Sequence, residues 1–155
     1  MNQNDYGSDR ALLVAFGDLF DRTGAIVRGR AILTALLGSG VWLTTRVPKA
    51  AVPPIAAAFY QTGIGVVACA RVVGLRPTTS LVRVPLPDLP LKMFPTALDL
   101  DSVRLFERPV DVRSVLDQLS FIHNKKQWGQ AFRYTPRMIP KSDYDALIRQ
   151  SEYPN

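Results

Sequence analysis

Cysteine and histidine are nearly missing from this chain: Cys69 and His123 are the sole representatives of either type. One thiol cannot close an internal disulfide, and one thiol with one imidazole cannot build the usual Cys/His zinc frameworks. Long apolar runs are missing too. The longest, near residues 50–70, is broken by Pro53, Pro54, Gln61 and glycines, so no membrane-spanning segment is expected. The first ten residues, MNQNDYGSDR, lack a basic start, and the apolar run after them is interrupted by Gly17, Asp18 and Asp21. No signal peptide is expected, and residues 1–9 read as polar and frayed. Internal repeats and low-complexity tracts are absent. These gaps point to a cytoplasmic protein with no cofactor and no metal.

What remains is the composition of one globular domain spanning residues 1–155: 47% apolar residues and 21% charged ones, enough to bury a real core. The net charge of +6 favours an anionic partner. Residues 121–141, FIHNKKQWGQAFRYTPRMIPK, concentrate that tendency. They hold five Lys or Arg and no acid, interleaved with Phe121, Trp128, Phe132 and Tyr134. Cations compensate phosphate charge and flat rings offer stacking faces, the mixture a nucleic-acid groove requires.

Periodicity supplies a coarse map. Residues 10–20 carry a short apolar run, ending at Gly17–Asp18, that fits a strand or a helix, with the strand favoured. Residues 24–37 carry Ile26, Leu33 and Leu37 near one face and end at Gly38, which predicts a helix with Arg28 and Arg30 outside its buried stripe. VWLTTR at 41–46 alternates as a strand. Residues 55–73 predict a hairpin around Gln61-Thr62-Gly63, its second arm covered on both sides. SLVRVPL at 80–86 predicts another strand, 85–101 a proline-rich crossing, and 102–110 a further strand. Asp111 is expected to cap a short helix with Val112, Val115, Leu116 and Leu119 inward. Phe132, Arg133 and Tyr134 read as a strand with Arg133 outward. Ser142-x-x-Asp145 resembles a capping box before a last helix that buries Tyr144, Leu147 and Ile148. The sum is an α+β domain built on a curved sheet or small barrel with helices at its ends.

Three patterns that could carry catalysis or cofactor binding point elsewhere. Gly63-Ile-Gly65-Val-Val-Ala68 matches a dinucleotide fingerprint by letter, but a strand follows it where a helix N-terminus would have to receive the pyrophosphate. His123 has no acid beside it, and Cys69 falls in a strand expected to be buried, so no catalytic residue is assigned. Asp99 and Asp101 read as a solvated turn with no His, Cys or Glu nearby to complete a metal site.

The order of motifs in the second half is similar to that of EVE domains, a branch of the PUA-like fold related to YTH and ASCH modules. Arg108-Pro109-Val110 ends a strand, and Leu119-Ser120-Phe121, Asn124-Lys125, Trp128-Gly129, Phe132-Arg133, Ile139-Pro140 and Asp143-Tyr144 follow in turn. Upstream, Trp42 and Phe59-Tyr60-x-x-Gly63 resemble the family's first-strand tryptophan and its hairpin. Pro53-Pro54-Ile55 departs from the family's Gly-Asp turn. The resemblance covers residues 40–150 and leaves 1–39 as an extension.

The resemblance implies a PUA-like sheet or barrel that recognises a modified base, for example a methylated one, flipped into an aromatic pocket. Trp42, Phe59, Tyr60 and Trp128 would be its walls, with Thr44, Gln61 and Asn124 reading the base edge. Lys125, Lys126, Arg133 and Arg137 would hold phosphates of DNA or RNA. Aromatic walls bury the added methyl and stack the extruded base, which is the physical sense of such a site. For Asn124, a left-handed helix C-cap is the competing role. Two other functions compete: a metal-independent ribonuclease of the ASCH kind, and a protein-interaction or small-molecule module. In the latter the helix near 26–37 would serve a partner or a homodimer.

Overall fold

The computed structural model describes residues 9–86 and 88–152. It is a mixed α+β structure. Eight strands are formed: β1 (Arg10–Phe16), β2 (Leu19–Phe20), β3 (Ile26–Val27), β4 (Val41–Thr44), β5 (Ile55–Gln61), β6 (Gly65–Pro77), β7 (Thr96–Val110) and β8 (Arg137–Pro140). Two α-helices join them, α1 (Gly29–Gly38) and α2 (Lys141–Glu152). Six strands make one open sheet in the order β4-β7-β6-β5-β1-β8, with β1 and β5 parallel and every other pair antiparallel. β2 and β3 form a separate ribbon.

Alternation along each strand divides the core in two. Leu12 and Val14 of β1 with Ala57 and Phe59 of β5 face one cluster, which α1 and β4 complete. Leu13, Ala58 and Tyr60 face the other, closed by Val112, Val115, Leu119, Phe132 and the Tyr144–Leu147 side of α2. Adjacent strand residues point to opposite sheet faces, so Phe59 and Tyr60 belong to different cores. The sheet is strongly bent. Register shifts interrupt β5–β6 at Phe59/Tyr60 and β6–β7 at three places. Each such irregularity adds local bend and twist.

The hairpin at 55–73 forms as its sequence predicts, with Gly65–Ala70 of β6 buried on every residue. Gly65 is required there: its φ is +140°, and a Cβ would collide with the Val110 carbonyl oxygen of β7. The strand at residues 10–16 also forms. Asp111 caps the short 3-10 turn Val112–Ser114, its carboxylate accepting from the Arg113 N–H, and a second turn, Leu116–Gln118, follows without a side-chain cap. Residues 1–8 lie outside the described residues.

Several expectations give way to local chemistry. The first helix begins at Gly29 rather than at residue 24. Asp21 Oδ1 accepts from the N–H groups of Thr23 and Ala25, holding a turn that pairs Ile26 with Phe20. Residues 80–86 form no strand; Val82 is wholly exposed, while Leu81, Val84 and Leu86 pack on the first core as a crossing cover. That crossing ends at Thr96, earlier than predicted, because β7 is fifteen residues long. Asp99 and Asp101 are therefore strand residues, paired with Arg76 at 3.0 Å and Arg71 at 2.7 Å. α2 starts at Lys141, which places Ser142 inside the helix. Its buried Asp143 accepts instead from the Ser120 hydroxyl and the Phe121 N–H, tying the helix start to the preceding turn.

Candidate functional site

The bend of the sheet produces one aromatic seam. Trp42 on edge strand β4 lies 4.9 Å from Phe59 and 5.1 Å from Phe16, ring centre to ring centre. Beside this trio is a cavity of about 180 Å³. Val14, Phe16, Ile32, Leu36, Trp42 and Phe94 supply its apolar lining, and Thr44, Thr45 and Thr135 its hydroxyls. An apolar cavity of roughly 150 Å³ accepts benzene, so this one admits a single six-membered ring with a small substituent.

Two hydroxyls at the cavity have complementary duties. Thr44 Oγ1 donates to the Arg46 carbonyl at 3.2 Å, which leaves its lone pairs as acceptors. Thr135 Oγ1 accepts from the Ala15 N–H at 2.9 Å, which leaves its proton to be donated. The latter contact also explains the opening. β8 pairs with β1 only from Arg10 to Leu13, and beyond it a side chain replaces the backbone ladder at Ala15.

Across the Thr135 rim lies a second, wider cleft of about 460 Å³, which shares Ala15, Phe16, Gly17 and Thr135 with the cavity. Tyr60, Thr62, Gly129, Phe132 and Arg133 complete it. Tyr60 and Phe132 stack at 4.2 Å, and Phe121 and Trp128 meet Phe132 edge-on, each at 5.9 Å. Burial pushes the Tyr60 phenol up, an effect the Gly63 N–H partly offsets.

The expected wall residues are thus split by the sheet. Trp42, Thr44 and Phe59 lie on the cavity's side, and Phe59 is sealed behind Trp42. Tyr60 and Trp128 belong to the opposite core. Gln61 turns its amide toward Gly29, and neither opening includes it. Asn124 is an exposed N-cap: its Oδ1 accepts from the Lys126 and Gln127 N–H groups, and its φ of −105° is not the left-handed C-cap conformation. Arg133 ends the 3-10 segment Lys125–Phe132 with helical φ/ψ and lies on no strand.

The basic residues separate in the same way. Lys125 Nζ donates to the Leu119 carbonyl at 2.6 Å. Arg137 donates to the Ala131 carbonyl at 3.2 Å and lies 5.2 Å over the Phe121 ring. Both are internal ties. Lys126, Arg133 and Arg46 are exposed and form no ion pair among the described residues. Arg46 follows the cavity residue Thr45, and Arg133 lines the second cleft.

Sequence reasoning missed Phe16, Phe94 and Thr135. Phe16 was legible, since the alternation of RALLVAF puts it on the face of Leu12 and Val14. Phe94 and Thr135 reach the cavity from irregular segments that no periodicity marks. Compared with protein-family models and with curated proteins, the chain matches none. No helix among the described residues is long and apolar enough to cross a membrane.

Proposed function

We propose that this protein is a nucleic-acid-binding module of the EVE type, with a PUA-like sheet, that takes one modified base into the cavity between Phe16 and Trp42. The observation that carries the reading is a ring-sized aromatic cavity opening at the rim of a basic protein. Trp42 and Phe16 supply apolar wall for a methyl group and the base ring. Thr44 accepts and Thr135 donates, so a base edge that has lost its partner strand finds both kinds of hydrogen bond. Arg46 follows the cavity residue Thr45 and Arg133 lines the adjoining cleft, so both are candidates to meet flanking phosphates. Tyr60, Trp128, Lys125 and Arg137 act here as scaffold.

The test is fluorescence anisotropy with short DNA and RNA strands. Each would carry one 5-methylcytosine, 5-hydroxymethylcytosine or N6-methyladenine, with an unmodified control, at two salt concentrations. One modified base should be preferred at both salts, and Trp42→Phe should erode that preference. Binding that ignores the modification and fades with salt would reduce the protein to a basic surface and refute the pocket.

A further inference from the structure

Tyr134 is the most exposed aromatic residue among the described residues, at 77%. Exposing a tyrosine ring forgoes the burial that holds Tyr60 and Tyr144 in the core. Its position is specific. Arg133 before it lines the wider cleft, Pro136 two residues on lines the ring-sized cavity, and Thr135 lines both. Thr135 is held by its bond to the Ala15 N–H. Tyr134 is thus the one residue of the run 133–136 that lines neither opening.

We propose that Tyr134 is a stacking platform for the nucleotide adjacent to the inserted base, so that the ligand is a single strand of at least two nucleotides. This rests on the base-insertion reading and adds to it a direction for the chain. A strand leaving the cavity passes over Thr135, places its phosphate in the cleft beside Arg133, and lays its next base on the Tyr134 ring. The cleft is more than twice the cavity's size, about 460 Å³ against 180 Å³, which suits a sugar-phosphate rather than a second enclosed ring. Because every base has a π-face, the platform imposes length without imposing sequence at that position.

The experiment compares a mononucleotide, a dinucleotide and a hexanucleotide carrying 5-methylcytosine, and the same three carrying N6-methyladenine. Each is titrated into wild type, Tyr134→Ala, Tyr134→Phe and Trp42→Phe. The dinucleotide should bind better than the mononucleotide. Tyr134→Ala should weaken the dinucleotide and hexanucleotide about tenfold and leave the mononucleotide unchanged, while Tyr134→Phe keeps wild-type affinity. If Tyr134→Ala binds the dinucleotide as tightly as wild type while Trp42→Phe still weakens it, the platform is refuted and base insertion survives. If no strand binds wild type, both fall together.

Discussion

Phe16 and Trp42 touch, although β1 and β4 are separated by three intervening strands. In a flat sheet the four inter-strand steps between them would span about 19 Å, at roughly 4.8 Å each. A ring separation of 5.1 Å therefore measures how far the sheet has curled. The curl leaves the sheet open, because β8 lies beyond β1 and no ladder joins it to β4. The cavity occupies this unclosed seam, and side chains from both of its sides line it.

Trp42 serves the core and the cavity at once, which makes the choice of variant decisive. It is 4% exposed and packed by two rings, so Trp42→Ala should cost about 3–5 kcal/mol in urea denaturation. Trp42→Phe should retain most of the stability. A small loss from Trp42→Ala would mean that the seam collapses around the missing ring.

Two glycines should respond oppositely to alanine. Gly65→Ala must accept a φ of +140° and a Cβ against the Val110 carbonyl. The conformation alone should destabilise by about 1–3 kcal/mol. Gly38, the last residue of α1, has open space at the Cβ position and no positive φ. Gly38→Ala should stabilise by about 0.4–1 kcal/mol through the unfolded state. Thermal melts of the two variants would check the contrast, and a stable Gly65→Ala protein would contradict the close β6–β7 approach.

Arg133 and Lys125 should differ in salt dependence. Arg133→Ala should lower the slope of log affinity against log salt by about one, as expected for one lost phosphate contact. Lys125 is bonded to the Leu119 carbonyl, so Lys125→Ala should leave the slope unchanged and lower stability instead. Equal slopes for both variants would show that Arg133 meets no phosphate.

Acid should loosen the start of α1. Asp18 accepts from the Gly29 N–H at 2.7 Å and from Arg28 at 3.0 Å. In that order, these contacts hold its carboxyl below the ordinary value. A carboxyl lowered in the folded state contributes fully above its unfolded value and loses that contribution as pH falls through the folded one. Urea midpoints measured between about pH 5 and pH 2 should fall less steeply for Asp18→Asn than for wild type. Parallel acid limbs would remove Asp18 from the junction between β1 and α1.

The strand at 10–16, the hairpin at 55–73 and the inward side of the last helix were readable from the chain because their patterns are local. So was the glycine-rich turn that mimics a dinucleotide motif. Misreadings cluster where a side chain competes with periodicity: Asp21 rewrites residues 21–27, Asn124 caps a helix start, and Asp143 binds the neighbouring turn. The basic charge, the aromatic inventory and most strand positions follow from composition and nearest-neighbour alternation, which act without long-range contacts. Which rings meet depends instead on long-range packing. Strand parity sends Phe59 and Tyr60 to opposite faces, and sheet curvature, set by register shifts between distant strands, brings Phe16 to Trp42.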